Sequence, residues 1–396
     1  MGDAVGGAEH MVRIDHDELI ELAQQSTGLT DFGEDTWREP FEKLIDAIQN
    51  EAKLHTLGRM MTRSELLRCL RTRLWLIDQH KHQPDIAQRS IRQPIFIIGP
   101  SRTGTTILHE LLAQDTNLRA PKAWETLHPI DRPEFFRDDQ DQRPVIAESE
   151  QEFWENVQPE FAAIHELRSR LPMECLTMMA PEFTMGHWAT VLDIGNWLAW
   201  RAGTDPMPGY AFHKQFLQTL QRAEQTQQWV LKSPVHLGYF RQIFQTYPDA
   251  KIIHTHRDPV KVLPSTVSTS GTTRFMRTDH VDYEGLAFGV SVGFQMNLIK
   301  TIEERKEGSV PEQQIADIHF KSLMKDPVQA IATAYEKIDQ PFDDSFAHRI
   351  TEYLANKPQG KHGTHRYAPE DWGFSKEKIR DEFAPYTDHY QIELET

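Results

Sequence analysis

The chain has 396 residues, of which 39% are hydrophobic, enough to bury the core of one large α/β domain or of two smaller ones. Its formal net charge of −16 argues against non-specific binding to nucleic acid and against docking onto anionic lipid. We therefore expect no nucleic-acid partner.

The cysteines and the apolar stretches bear on cellular location. Two isolated thiols, Cys69 and Cys175, suit a reducing compartment. Residues 1–9 lack the cationic start and the apolar run of a signal peptide. Acidic residues and a histidine interrupt the most apolar stretch, residues 177–200, which predicts a buried or lid helix there rather than a membrane span. Together these features predict a cytoplasmic protein.

The first part of the chain shows apolar residues at helical spacing, for example in residues 41–48 and 63–77. This pattern predicts a helical N-terminal extension over residues 1–90. We expect the remainder, residues 91–396, to form one domain whose C-terminal tail, residues 356–396, packs over the edge of a sheet.

Four short apolar runs in the second part are typical of strands that are buried on both faces. They are residues 94–99, 229–232, 251–257 and 315–320. Helical patterns lie between them, at residues 105–114, 212–225 and 237–246. Strands that alternate with helices predict an α/β fold of the P-loop type, with three layers and a central parallel sheet flanked by helices.

Residues 99–106 have the glycine spacing of a phosphate-binding loop between a strand and a helix. Gly104 lets the backbone approach a phosphate, and the N–H groups at the start of the following helix point toward the anion. A nucleoside triphosphatase has lysine at the position of Thr105, whereas the cation of this loop is Arg102. The loop therefore suits a ligand that needs less charge neutralisation than a triphosphate, such as a phosphosulfate.

A second basic element follows in residues 228–277, which contain seven lysines and arginines but only two acidic residues. Such an island in an acidic chain indicates a bound anion. Arg257 stands at the carboxyl end of a predicted strand, where parallel α/β sheets bind ligands, and Ser265 on the following helix could reach the same phosphate. The alternative is a local salt bridge between Arg257 and Asp258 on a solvated face.

In this order, the loop, the segment 232–234, the segment 256–259 and Ser265 resemble the sulfotransferases that use 3′-phosphoadenosine 5′-phosphosulfate. The resemblance spans residues 91–380 and is closest to the bacterial members akin to tyrosylprotein sulfotransferases. It implies a metal-independent enzyme with this nucleotide as co-substrate.

The resemblance also implies which residues bind the donor. The 5′-phosphosulfate would be held by the loop residues Ser101, Arg102, Thr103, Gly104, Thr105 and Thr106. Arg257 and Ser265 would hold the 3′-phosphate. Phe320 stands where the family has a tyrosine near the adenine, and Lys361 belongs to a basic turn that would contact the 3′-phosphate.

Sulfuryl transfer to a hydroxyl needs a base and cations, and by analogy with phosphoryl transfer its catalysis depends on positioning and charge stabilisation. The candidate cations are Arg102 and Lys232. As the base we favour Glu174, because a carboxylate among apolar neighbours is a better proton acceptor. Glu125 is the alternative, since it matches the position of the base in the tyrosylprotein branch with two additional residues of spacing.

The sequence leaves the acceptor, the assembly and two alternative functions open. The acceptor is expected to be a hydroxyl of a small molecule, a lipid or a carbohydrate, and a homo-oligomer is one option for the assembly. The alternative functions are a nucleotide kinase and a non-catalytic nucleotide-binding scaffold. His254 and His256 lie on one face of a predicted strand, but no third ligand stands at a telling spacing, so we predict no metal site. Six aromatic residues are expected either in the acceptor pocket or in the core: Phe183, Trp188, Trp197, Trp200, Tyr210 and Phe212.

Overall fold

The computed structural model describes residues 7–164, 166–221, 225, 227–357 and 368–395. In these ranges the strands are β1 (Ile95–Ile98), β2 (Leu118–Arg119), β3 (Phe136–Arg137), β4 (Gln140–Asp141), β5 (Gln228–Lys232), β6 (Lys251–His256) and β7 (Ile315–His319). The α-helices are α1 (Ala8–Met11), α2 (His16–Thr27), α3 (Arg38–Asn50), α4 (Thr56–His82), α5 (Pro84–Ala87), α6 (Thr105–Leu112), α7 (Ala123–Leu127), α8 (Arg143–Val157), α9 (Phe161–Ile164), α10 (Cys175–Met179), α11 (His187–Val191), α12 (Gly195–Arg201), α13 (Met207–Leu220), α14 (Phe240–Thr246), α15 (Pro259–Phe275), α16 (Tyr283–Lys306), α17 (Phe320–Lys325), α18 (Pro327–Lys337), α19 (Asp344–Asn356) and α20 (Lys376–His389).

Five strands form the central sheet, in the order β2-β5-β1-β6-β7, and every pair in it is parallel. Ile95 of β1 lies between Val230 of β5 and Lys251 of β6. All four strands predicted from apolar runs are present, which confirms the predicted α/β class. The edge strand β2 was missed because two residues are too few to show a periodic pattern. A small antiparallel hairpin, β3 with β4, lies outside this sheet.

The sheet has an apolar cluster on each face, because alternate side chains of a strand point to opposite sides. In β1, Phe96 and Ile98 belong to the cluster on one face, whereas Ile95 and Ile97 belong to the cluster on the other. The first face is covered by helices that include α13, α14 and α20, and the second by helices that include α6, α18 and α19. Helix, sheet and helix thus form the three predicted layers.

A further apolar cluster is formed by the N-terminal helices together with residues 180–197. Phe183, Trp188 and Trp197 lie in this cluster, and Tyr210 and Phe212 lie in the cluster on the sheet. Trp200 packs against the N-terminal cluster. Of the two roles foreseen for the six aromatic residues, core packing is therefore the one observed.

The ends of two elements differ from the predicted pattern. Helix α13 ends at Leu220, short of the predicted residue 225. The predicted tail contains α20, a helix of 14 residues that buries Ile379, Phe383 and Tyr386. Among the described residues, no helix is both long enough and apolar enough to cross a membrane.

Candidate active site

Three neighbouring strands of the sheet carry the predicted anion-binding elements at their carboxyl ends. The loop 99–104 follows β1, Lys232 ends β5, and Arg257 follows β6. Because β1 lies between β5 and β6 in a parallel sheet, these three elements meet at one edge. The sequence could not show this neighbourhood, since residues 99 and 257 are far apart along the chain.

The loop wraps tightly around the end of β1 and leads into α6. A side chain at Gly99 would collide with Thr255, because a Cβ there would lie 2.1 Å from the Oγ1 of Thr255. Gly104, at φ +86°, adopts a left-handed conformation that glycine tolerates best. Thr103 uses its hydroxyl within the protein, at 2.7 Å from the carbonyl oxygen of Pro100 and 2.6 Å from the Oγ1 of Thr255. This hydroxyl therefore stabilises the loop from within.

Lys232 and Glu174 form an ion pair beside the start of α6. The ammonium of Lys232 also lies 3.4 Å from the Oγ1 of Thr106, and the hydroxyl of Ser233 donates to the other carboxylate oxygen of Glu174 at 3.3 Å. Lys232 is buried, with 3% of its surface exposed, whereas Glu174 lines a cavity. The candidate cation and the candidate base are therefore adjacent. Sequence reasoning gave no role to Ser233, although it stands beside Lys232 in the Lys-Ser-Pro segment.

Glu125, the alternative base, is held by groups of its own region. One carboxylate oxygen pairs with the guanidinium of Arg119 at 2.5 Å, and the other accepts the N–H of Lys122 at 2.9 Å. The second contact caps the start of α7. Glu125 is not among the described residues that line the cavity. The geometry gives it a structural part and does not bring it to Lys232.

Arg257 and Phe320 connect the loop with the neighbouring strand end. The guanidinium of Arg257 lies 3.8 Å from the ring centre of Phe320 and donates to the carbonyl oxygen of Arg102 at 3.0 Å. Phe320 also packs near Gly104, where a Cβ would lie 3.2 Å from its ring. Ser265 lies on α15 with a buried hydroxyl that has no hydrogen-bond partner among the described residues. Asp258, which the alternative interpretation paired with Arg257, instead caps α15 by accepting the N–H of Val260.

The other predicted site residues are Arg102, Ser101, Thr105 and Lys361. Arg102 has a left-handed backbone, with φ +67°, and its exposed side chain donates to the carbonyl oxygen of Ile164 at 3.3 Å. Ser101 and Thr105 line the cavity. Lys361 lies outside the described residues.

His254 and His256 do have a third group near them, Asp317, and the candidate ligand atoms of the three residues lie within 4.8 Å of one another. Arg305 also enters this cluster and donates to Asp317 at 2.7 Å. Burial alone would raise the pKa of Asp317, but the contacts of its carboxylate with His256 and Arg305 bring that pKa below its ordinary value. The carboxylate is thus committed to an internal ion pair.

A large cavity of about 1740 Å³ opens beside the loop. It is lined by the loop residues Ser101, Arg102, Gly104, Thr105 and Thr106, and also by Glu174, Arg257 and Phe320. One face of α4 forms another wall, with Met61, Arg68, Arg71 and Trp75. Sequence reasoning missed these residues because the helical periodicity of α4 does not show which face meets a cavity.

The comparisons with known proteins agree with this geometry. The chain matches the sulfotransferase family over residues 94–344. It is 24% identical over 289 residues, 70% of each chain, to omega-hydroxy-beta-dihydromenaquinone-9 sulfotransferase Stf3 of Mycobacterium tuberculosis.

Two solved structures share the fold over nearly their whole length. Sulfotransferase STF1 of Mycobacterium tuberculosis H37Rv is 26% identical, with a TM-score of 0.81 over 94% of this chain and 99% of that one. Sulfotransferase STF9 of Mycobacterium avium is 24% identical, with a TM-score of 0.84 over 96% of this chain and 97% of that one. The family match confirms the predicted sulfotransferase activity. The two alternative functions, a nucleotide kinase and a non-catalytic nucleotide-binding scaffold, are therefore set aside. The chain belongs to the sulfotransferase family.

Proposed function

We propose that this sulfotransferase transfers a sulfuryl group from 3′-phosphoadenosine 5′-phosphosulfate to the hydroxyl of a long, mostly apolar acceptor. The observation that carries the proposal is the cavity itself. It joins the phosphate loop and Glu174 to walls that are rich in apolar side chains, among them Ile107, Phe135, Ile146, Phe153, Phe161 and Leu198.

The donor is supported by two groups of residues at one sheet edge. The loop 101–106 offers a helix N-terminus without the lysine of a triphosphatase, which fits a phosphosulfate. For the 3′-phosphate, Arg257 offers a guanidinium, and Ser265 offers a hydroxyl that has no partner among the described residues. Phe320 lies between the two groups and provides a flat apolar face for the adenosine. We also propose that Lys361 belongs to this donor site.

The acceptor class is supported by the size and the walls of the cavity. A drug-sized ligand needs roughly 300–1000 Å³, so about 1740 Å³ leaves room for the donor and an extended acceptor together. Along α4 the wall from Met61 to Trp75 is about 21 Å long, at 1.5 Å per residue. Exposed apolar side chains stand at the rim, including Val145, Phe153 and Leu198. The related Stf3 is named for a hydroxylated menaquinone, an acceptor of this kind.

The proposed chemistry assigns one task to each polar group. The acceptor oxygen forms a bond to sulfur while the bond from sulfur to the 5′-phosphate oxygen breaks. Glu174 takes the hydroxyl proton, and Ser233 orients its carboxylate. Lys232 and Arg102 stabilise the negative charge of the departing phosphate and of the sulfuryl oxygens.

Finer proposals and predictions accompany this function. Residues 1–90 are an extension of the catalytic domain 91–396 that completes the acceptor cavity through α4. Kinship with the tyrosylprotein branch is kept as a proposal, but the base is assigned to Glu174, because Glu125 is bound by Arg119 and the Lys122 N–H. A cytoplasmic location and the option of a homo-oligomer stay predictions.

The first experiment measures nucleotide binding by calorimetry and then follows transfer of radiolabelled sulfate. We expect adenosine 3′,5′-bisphosphate to bind, and ATP with magnesium to bind far more weakly. With the labelled donor, long-chain prenyl alcohols and hydroxylated quinones should accept sulfate, whereas free sugars such as glucose should not. Preference for ATP with magnesium would overturn the donor, and transfer to sugars alone would overturn the acceptor class.

A further inference from the structure

The guanidinium of Arg257 is bound to a carboxylate of this same chain. Glu395 accepts hydrogen bonds from its Nε at 2.8 Å and from its Nη2 at 3.1 Å. Arginine recognises phosphate with the same pair of parallel N–H groups. Glu395 therefore occupies the guanidinium that the proposed function gives to the 3′-phosphate of the donor.

Glu395 belongs to a short segment after α20 that we call the strap, residues 393–395. Just before it, Ile392 is buried and anchors the chain in the core. Leu394 within the strap is 49% exposed, so it adds no apolar anchor. The strap is held by polar contacts, which link Glu393 to Lys321 at 2.5 Å, the Glu395 N–H to Asp258 at 2.7 Å and the Glu395 carbonyl to Arg380 at 3.2 Å.

The pair of Glu395 with Arg257 is largely shielded from water, since 16% and 17% of the two side chains are exposed, whereas Glu393 and Lys321 are 76% and 39% exposed. The strap itself buries no apolar side chain, so its detachment breaks polar contacts only, and a phosphate on Arg257 would replace the main one. The strap can therefore leave Arg257 while Ile392 and the helix before it stay in place.

Ser265 provides an independent sign that the anion site is incomplete. Its Oγ is buried and has no partner among the described residues, an arrangement that is unfavourable unless a ligand supplies one. The donor would provide that acceptor atom in the proposed function. A carboxylate on Arg257, together with a serine hydroxyl that lacks a partner among the described residues, is what we expect of a phosphate site that holds an internal substitute.

We propose that the strap competes with the 3′-phosphate of the nucleotide for Arg257. This inference rests on the proposed function. The strap is closed in the free enzyme, and Glu395 leaves Arg257 when the donor binds. The apparent donor affinity is then the intrinsic affinity reduced by the fraction of molecules whose strap is open. When the strap closes again it displaces adenosine 3′,5′-bisphosphate, which speeds product release.

The test uses the full chain and calorimetric titration with two nucleotides. One is adenosine 3′,5′-bisphosphate, and the other is AMP, which lacks the 3′-phosphate. We expect Glu395→Gln to bind the bisphosphate about three- to tenfold more tightly than the parent protein, and to bind AMP with unchanged affinity. The matched control is Glu382→Gln, which removes a carboxylate on α20 that contacts Gln295 and Lys378 instead. It should change neither affinity.

The opposite outcomes have distinct meanings. Equal binding of the bisphosphate by Glu395→Gln and the parent overturns the strap, and weaker binding overturns it too, because Glu395 would then be a positioning residue that orients Arg257. Tighter binding of both nucleotides would mean a general opening of the site and would also overturn competition for the 3′-phosphate. If neither protein binds the bisphosphate, the proposed donor falls and the strap with it.

Discussion

At the scale of single residues, the most informative contact is the ion pair between Lys232 and Glu174. Its two partners come from the end of β5 and from the residue before α10. The setting predicted for the base, a carboxylate among apolar neighbours, is only partly observed, because Glu174 is also paired with a cation. The pair places the proposed proton acceptor and the proposed leaving-group cation in direct contact. That adjacency, more than burial, supports Glu174 as the base.

Replacement of Glu174 tests this role directly. Glu174→Gln keeps the shape of the side chain and removes its ability to take a proton, so we expect kcat to fall about 10²- to 10⁴-fold. The affinity for adenosine 3′,5′-bisphosphate should change far less. Steady-state kinetics and calorimetry on the same preparation measure both.

The matched control for this variant is Glu125→Gln. It breaks the pair with Arg119 and should lower thermal stability while leaving turnover nearly normal below the unfolding temperature. Near-normal turnover in Glu174→Gln together with a large loss in Glu125→Gln would transfer the base to Glu125.

At the scale of elements, the site depends on which helix faces surround the sheet edge. Helix α4 lines the cavity with Met61 and Trp75, and α8 lines it with Val145 and Phe153. The sequence of neither helix shows which of its faces meets the cavity, because that face follows from how the helices pack. The apolar rim is therefore a property of the assembled elements, and it can be altered without touching the donor site.

A charge on α8 tests whether this rim receives the acceptor. Phe153→Asp places a carboxylate in the apolar wall at a side chain that is 46% exposed, so the fold should tolerate it. We expect KM for a long-chain acceptor to rise about tenfold or more, with KM for the donor unchanged, since burying an unpaired charge against an apolar chain is unfavourable.

Phe275→Asp is the matched control. Phe275 is 50% exposed and lies outside the residues that line the large cavity. The same change there should leave KM for the acceptor near that of the parent. Equal effects of the two substitutions would show that the rim of α8 has no special part in acceptor binding.

At the scale of the whole molecule, several histidines are buried as neutral side chains. Burial lowers the pKa of His213 to about 3, and burial together with the charge of Lys232 lowers that of His109 to about 3. Burial also places the pKa values of His236 and His254 well below the usual 6.5. An unfolded chain protonates these groups near pH 6.5, so the folded state binds fewer protons at moderately acid pH.

The sign of the resulting pH dependence follows from that difference. The stabilising contribution is fully present above pH 6.5 and is lost as the pH falls toward 3, by up to about 1.4 kcal/mol per pH unit for each histidine. We expect the free energy of unfolding in urea to drop between pH 7 and pH 5, before most carboxylates titrate. His213→Gln, which keeps a polar group beside Tyr247, should reduce the slope. A flat profile, or an unchanged slope in that variant, would contradict this assignment.

The sequence alone determined the features that depend on local order along the chain. Continuous apolar runs identified four of the strands, because both faces of a parallel sheet are buried. The glycine spacing of residues 99–106 and the threonine at position 105 indicated a phosphosulfate rather than a triphosphate, because those properties reside in a contiguous loop. The family followed from the order of these motifs.

The tertiary structure alone decided which distant groups meet. In the folded chain Lys232 pairs with Glu174, and Glu125 pairs with Arg119. Phe183 and its aromatic neighbours lie in the core. The fold also pairs Glu395 with Arg257. These residues are 138 positions apart, so no local sequence pattern predicts their contact. Side-chain partners across a fold depend on how strands are ordered and how helices pack, and neither is written in the periodicity of any one segment.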